Sequence, residues 1–96
     1  MFTNLDWSER DAHMFERHAL TTAQAEEALA DPERVVINPD YASKTGQSVR
    51  IIGYAPSLDT ILTVIAVPFE GVEYGASGWP SNSKDRNLYY QKGEQE

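Results

Sequence analysis

The sequence predicts an α+β domain: two N-terminal helices, a four-stranded antiparallel sheet and a C-terminal helix. Three observations predict it. Helical periodicity is confined to the first third of the chain, β-branched runs separated by turn-formers begin at Arg34, and a helix-compatible segment follows Pro80.

The first helix is read from WSERDAHMFERHAL, where Trp7, Asp11, Met14, Phe15 and His18 recur at spacings that share one helical face. Ser8 or Asp6 suits its N-cap, Glu9 and Asp11 suit the positive end of its dipole, and Arg17 and His18 suit the negative end. In the second helix, over residues 22–30, Thr21 and Gln24 have capping-box spacing, Ala25, Ala28 and Leu29 form the buried stripe, and Asp31-Pro32 ends the pattern. Strands are predicted at 34–37, 48–54, 60–68 and 72–77, the third apolar on both faces like a central strand covered on two sides. Pro56-Ser57-Leu58-Asp59 and Glu70-Gly71 fall where hairpin turns belong. The last helix starts after Ser81 or Asn82, turns Leu88 and Tyr89 inward and ends at Gly93. Residues 38–47 are the longest irregular stretch and the candidate mobile loop.

Ninety-six residues make one domain, expected over 1–92 with a frayed tail at 93–96. A hydrophobic content of 41% places the chain among folded rather than disordered sequences. Without cysteine there is neither a disulfide framework nor a thiolate metal site, which argues against an oxidising compartment. No charged leader with an apolar core and no run long enough to span a bilayer is visible, so the expectation is a cytoplasmic protein that does not meet the membrane. A net charge of −7 opposes nucleic-acid binding in general. The charge is uneven, however: residues 6–33 hold eight acids and two bases, and a basic patch further along stays open.

Metal chemistry finds little support. His13 and His18, five residues apart, point about 140° away from each other on a helix, and HExxH and EF-hand patterns are both absent. Neither a nucleophile elbow nor a glycine-rich phosphate loop is present, so no metal and no cofactor is expected. What remains is metal-free acid–base chemistry, such as RNA cleavage through its own 2′-hydroxyl, which needs a base, an acid and a cation at phosphorus. Arg17, His18, Arg50, Lys84, Arg86 and Tyr89 supply those side-chain types. Each also has a plainer reading: His18 as a half-buried helical histidine, Arg50 as a solvent-facing strand residue, Lys84 and Arg86 as exposed helix charges.

Trp7, Arg17-His18-Ala19-Leu20-Thr21, Glu26-Glu27-Ala28-Leu29 and Asp31-Pro32 together resemble the W…(K/R)HG(V/I)…EEA…DP opening of the BrnT toxins. Gly46-Gln47-Ser48-Val49-Arg50 with Gly53 is similar to that family's GExxR…G strand. Ser77-Gly78-Trp79-Pro80, leading to Lys84-Asp85-Arg86-Asn87-Leu88-Tyr89, resembles its (S/T)AR…(K/R)ER..Y ending. The resemblance spans about residues 5–90. It implies a RelE-like fold and a ribonuclease that cuts messenger RNA when free and is neutralised by a protein antitoxin. Carried onto this chain, it implies His18 and Arg50 as catalytic residues, with Arg17, Lys84, Arg86, Trp79 and Tyr89 along the RNA.

Three departures from the pattern stand out: Ala19 for glycine, Gln47 for glutamate, and Trp79 for arginine. An indole stacks on a base but does not neutralise charge on phosphorus, so Trp79 reads as a plug rather than as machinery. It reads equally as a sheet-edge aromatic packed over the last helix. Two functions are therefore expected: a BrnT-like metal-independent ribonuclease of a toxin–antitoxin pair, or a non-catalytic interaction module on the same fold. Oligomeric state is not legible.

Overall fold

The computed structural model describes residues 5–7 and 19–95, the last four of these as backbone only. The first predicted helix, with Arg17 and His18, lies outside the described residues. Within them the order is α1 (Thr22–Leu29), β1 (Val35–Ile37), β2 (Val49–Ala55), β3 (Thr60–Phe69), β4 (Val72–Pro80) and α2 (Ser83–Gln95). The strands form one antiparallel meander in the order β1-β2-β3-β4, so the α+β class and the four-stranded sheet stand as expected.

The capping box at Thr21 is formed. Thr21 Oγ1 accepts from the Gln24 backbone N–H at 3.2 Å, and Gln24 Oε1 accepts from the Thr21 N–H at 3.0 Å. Ala25, Ala28 and Leu29 are buried against the sheet, where small side chains let the helix come close. At Gly53 the approach is limiting: a Cβ there would stand 2.1 Å from the carbonyl oxygen of Ala28. Only glycine lets α1 sit this low on β2.

Directly paired residues share a face. Val49, Ile51 and Gly53 pair with Ala66, Val64 and Leu62 on the side of α1, while Arg50 and Ile52 pair with Ile65 and Thr63 on the opposite side. α2 packs on that second side through Asp85. β3 is therefore covered on two faces, and its central residues Ile61–Val64 are all buried. Trp7 and Leu5 join the core cluster around Leu20, Leu29, Ile51, Leu62 and Val64. Residue 6 bridges in parallel to Tyr74 along the outer edge of β4, with Asp6 N–H donating to the Glu73 carbonyl and Gly75 N–H to the Asp6 carbonyl.

Two boundaries differ from the sequence reading. β4 runs on to Pro80 instead of stopping at 77, so the Trp79-Pro80 joint is strand rather than connection. Pro80 pairs with Leu62 at the strand's end, a place where a missing N–H is tolerated. α2 passes through Gly93 to Gln95, because a single glycine costs a helix only about 1 kcal/mol and does not by itself end it. Asn82 rather than Ser81 caps α2, its Oδ1 accepting from the Asp85 N–H at 2.9 Å.

Candidate functional site

β2 delivers a single charged side chain, Arg50, onto the face beneath α2. It does not stand open to solvent, as a phosphate ligand would; the residue is 5% exposed. Its Nε lies 2.7 Å from Asp40 Oδ1 and its Nη1 lies 2.6 Å from Asp85 Oδ2. Nη1 also donates to the Tyr41 hydroxyl at 3.0 Å. The guanidinium carbon sits 4.3 Å from the centroid of the Tyr41 ring and 5.7 Å from that of Trp79, so two aromatic faces border the cation.

Asp85, fully buried, is the hub. Tyr41 donates to its Oδ1 at 2.5 Å, and Thr63 Oγ1 donates to its Oδ2 at 2.7 Å. Thr63 has one hydroxyl proton and gives it to Asp85, so the 2.7 Å contact with Ser81 must have the Ser81 hydroxyl as donor. Every donor in this chain is thereby directed toward the carboxylates. Burial pushes the Asp85 carboxyl up, yet the hydrogen bonds from Tyr41, Thr63 and Arg50, with the Arg50 charge, outweigh it and hold its pKa below the usual value. Arg50 shows the mirror image: burial disfavours its charge, and the hydrogen bonds to Asp40 and Asp85 more than restore it. Tyr41 is raised, first by burial and then by its bond to Asp85.

The loop supplying Asp40 is tied at its first half. Asp40 N–H donates to the Ser48 carbonyl at 2.8 Å, Ser43 N–H donates to the Asp40 carbonyl at 2.9 Å, and Ala42 N–H to Asp40 Oδ1 at 3.1 Å. An Asx-type turn fixes Asp40 and so brings Tyr41 over Arg50.

The sequence-derived residues fall into three groups. Arg17 and His18 lie outside the described residues. Arg50 and Lys84 converge on the Tyr41 ring, with Lys84 Nζ 3.9 Å from its centroid, and Trp79 borders Arg50. Arg86 and Tyr89 turn elsewhere: Arg86 Nη2 donates to Thr60 Oγ1 at 2.9 Å, and the Tyr89 hydroxyl donates to Asp31 Oδ2 at 2.5 Å. Asp31 also accepts from the N–H groups of Tyr54 and Glu33. Burial raises its carboxyl, but the Tyr89 bond, these backbone donors and Arg34 bring the net shift below the ordinary value.

Asp40, Tyr41, Thr63, Ser81 and Asp85 were not singled out from the sequence. One signal was present: an arginine flanked by Val49 and Ile51-Ile52 in a β-branched strand calls for buried acidic partners. Among the described residues no group of three or more histidines and carboxylates is placed to hold a metal ion. No helix among them is long and apolar enough to cross a membrane.

Two carboxylates against one guanidinium leave the cluster with a formal excess of one negative charge. With Nε and Nη1 engaged by the protein, this Arg50 geometry holds structure together and does not offer a two-pronged grip on a phosphate. No protein-family model matches the chain, and no curated protein matches it.

Proposed function

We propose that the chain is a non-catalytic protein-interaction domain on a BrnT-like, RelE-like toxin scaffold, acting in the cytoplasm on a protein partner of the antitoxin kind. The observation that carries this reading is Arg50: the cation expected to meet RNA is buried, with its Nε held by Asp40 and its Nη1 by Asp85. Trp79, at the position of the family's arginine, adds an aromatic wall to the same cluster instead of a second cation. The net charge of −7 works in the same direction.

A ribonuclease keeps one observation in its favour. Arg50 and Lys84 meet Trp79 and Tyr41 in one place, and cations interleaved with aromatic rings are the chemistry of a single-strand groove. In that reading His18 serves as base or acid and Arg17 and Lys84 hold the backbone, while Arg86 and Tyr89, bonded to Thr60 and Asp31, stand apart from this group. The purified protein is to be incubated with RNA beside a His18→Ala variant. The interaction reading expects no cleavage from either; cleavage by the wild type that disappears in the variant overturns it and establishes the nuclease.

A further inference from the structure

The Arg50 cluster leaves one donor and one acceptor unused. Arg50 Nε and Nη1 are engaged by Asp40, Asp85 and the Tyr41 hydroxyl, and Asp40 Oδ1 accepts from Arg50 Nε and from the Ala42 N–H. Among the described residues, Arg50 Nη2 and Asp40 Oδ2 take part in no hydrogen bond. Arg50 and Asp40 are only 5% and 7% exposed, yet neither of these two atoms is sealed from solvent. Polar atoms of buried side chains have partners as a rule. A free donor and a free acceptor on one fixed ion pair, both reaching solvent, therefore mark a place suited to meet a ligand.

The two atoms belong to groups already in contact. Arg50 Nε and Asp40 Oδ1 are 2.7 Å apart; Nη2 shares the guanidinium carbon with that nitrogen, and Oδ2 shares the carboxyl carbon with that oxygen. One planar group with its two hydrogen bonds spans the distance between them. Aromatic rings border the pair, the guanidinium carbon lying 4.3 Å from the Tyr41 centroid and 5.7 Å from that of Trp79. Tyr41 is 44% exposed, and its hydroxyl bond to Asp85 orders the ring before any ligand arrives. An ionised carboxylate or phosphate has no donor for Oδ2 and adds negative charge where two carboxylates already face one guanidinium. An ammonium group has no acceptor for Nη2. A primary amide carries both in one plane and without net charge.

We infer that Arg50 Nη2 and Asp40 Oδ2, bordered by Tyr41 and Trp79, form a recognition subsite for the side-chain amide of an asparagine or glutamine on a partner polypeptide. This rests on the interaction reading above. The amide oxygen accepts from Nη2, its NH2 group donates to Oδ2, and the Tyr41 ring packs against it. Arginine, tyrosine and tryptophan meeting at one point are also the residue types that dominate the energetics of protein–protein contacts. A nucleobase edge offers the same donor and acceptor, but it arrives on a polyanion that a chain of net charge −7 repels.

The probe is a synthetic serine–glutamine peptide, titrated into isotope-labelled protein and followed by nuclear magnetic resonance, with a serine–glutamate peptide and a single-stranded RNA of equal length beside it. The two peptides share their backbone amides, so any difference between them belongs to the side chain. Wild-type protein is expected to bind the glutamine peptide at least about tenfold more tightly than the glutamate one, with saturable shifts at residues 40–42, the Arg50 side chain and the Trp79 indole. Asp40→Asn keeps an oxygen for Arg50 Nε and the Ala42 N–H but turns the free acceptor into a donor and removes the excess negative charge, so the order of the two peptides reverses. Tyr41→Phe and Tyr41→Leu both lose the bond to Asp85, and only the second loses the ring; the first is expected to bind within about twofold of wild type and the second about tenfold more weakly. This pair tests the site even where Asp40→Asn does not fold. No binding by the wild type, equal binding of the two peptides, shifts elsewhere, an unchanged preference in folded Asp40→Asn, or equal binding by the two Tyr41 variants overturns the inference. So does RNA that binds here more tightly than the glutamine peptide, which would make a nucleobase the occupant. RNA cleavage strikes the parent reading and is measured without the peptide, so the two failures are separable.

Discussion

Removing the charge of Arg50 would leave Asp85 buried beside Tyr41 and Thr63 with no cation, and Asp40 in the same position a few ångströms away. Breaking a buried ion pair from one side costs about 3–5 kcal/mol, because the surviving charge keeps its desolvation penalty without its partner. Arg50→Met is accordingly expected to lower unfolding free energy by about that amount in urea titrations. Lys84→Met, which removes only an exposed cation from the face of Tyr41, is expected to cost less than about 1 kcal/mol. Equal losses in the two variants would mean that Arg50 is solvated and available to a ligand. The sequence made Arg50 visible as an isolated cation in an apolar strand. What it left invisible was the partners, since Asp40 and Asp85 stand 10 and 35 residues away, on a loop and on a helix, and nothing local marks either as buried.

Local rules served the elements well where a single physical cause sets the outcome. Thr21 with Gln24, the β-branched strands and the Glu70-Gly71 turn were readable because capping, side-chain branching and positive φ each act over a few residues. The ends of β4 and α2 were not, because pairing with Leu62 and continued helical hydrogen bonding override the usual reading of Trp79-Pro80 and of Gly93. Gly53 shows a tertiary cause hidden in one letter. Its φ is ordinary, and the requirement for glycine comes from the Ala28 carbonyl 2.1 Å from where a Cβ would be. That obstacle is helix backbone, with no rotamer to move aside, so Gly53→Ala must lift α1 from β2 or bend the strand. The expected result is a loss of several kcal/mol, at the upper end for a single substitution. Hydrogen-exchange protection should fall first across residues 22–29; a variant as stable as wild type would show that α1 is not seated on the sheet at this distance.

At the scale of the whole molecule, α2 is fastened to the rest of the domain by two carboxylates, its own Asp85 reaching Arg50 and Thr63, and Asp31 from the end of α1 reaching Tyr89. Both carboxyls have pKa values lowered by folding. Their contribution is fully present above the unfolded aspartate value, about 3.9, and is lost as pH falls through the lower folded values. The phenols of Tyr41 and Tyr89 act in the opposite direction, both raised by burial first and by hydrogen bonds to these same acids second. Their contribution is intact below the unfolded tyrosine value of about 10 and is lost as pH rises beyond it. Stability is therefore expected to be flat between about pH 5 and 9 and to fall at both ends. Asp31→Asn and Asp85→Asn should each lower the plateau while making the acid limb shallower, because each removes a proton-uptake site that the unfolded chain would otherwise fill more readily. Urea midpoints measured across pH, followed in parallel by far-UV circular dichroism and tryptophan fluorescence, read this directly. An acid limb as steep in both variants as in the wild type would place the acid sensitivity elsewhere in this anionic chain and leave α2 held by packing and the Arg86–Thr60 hydrogen bond.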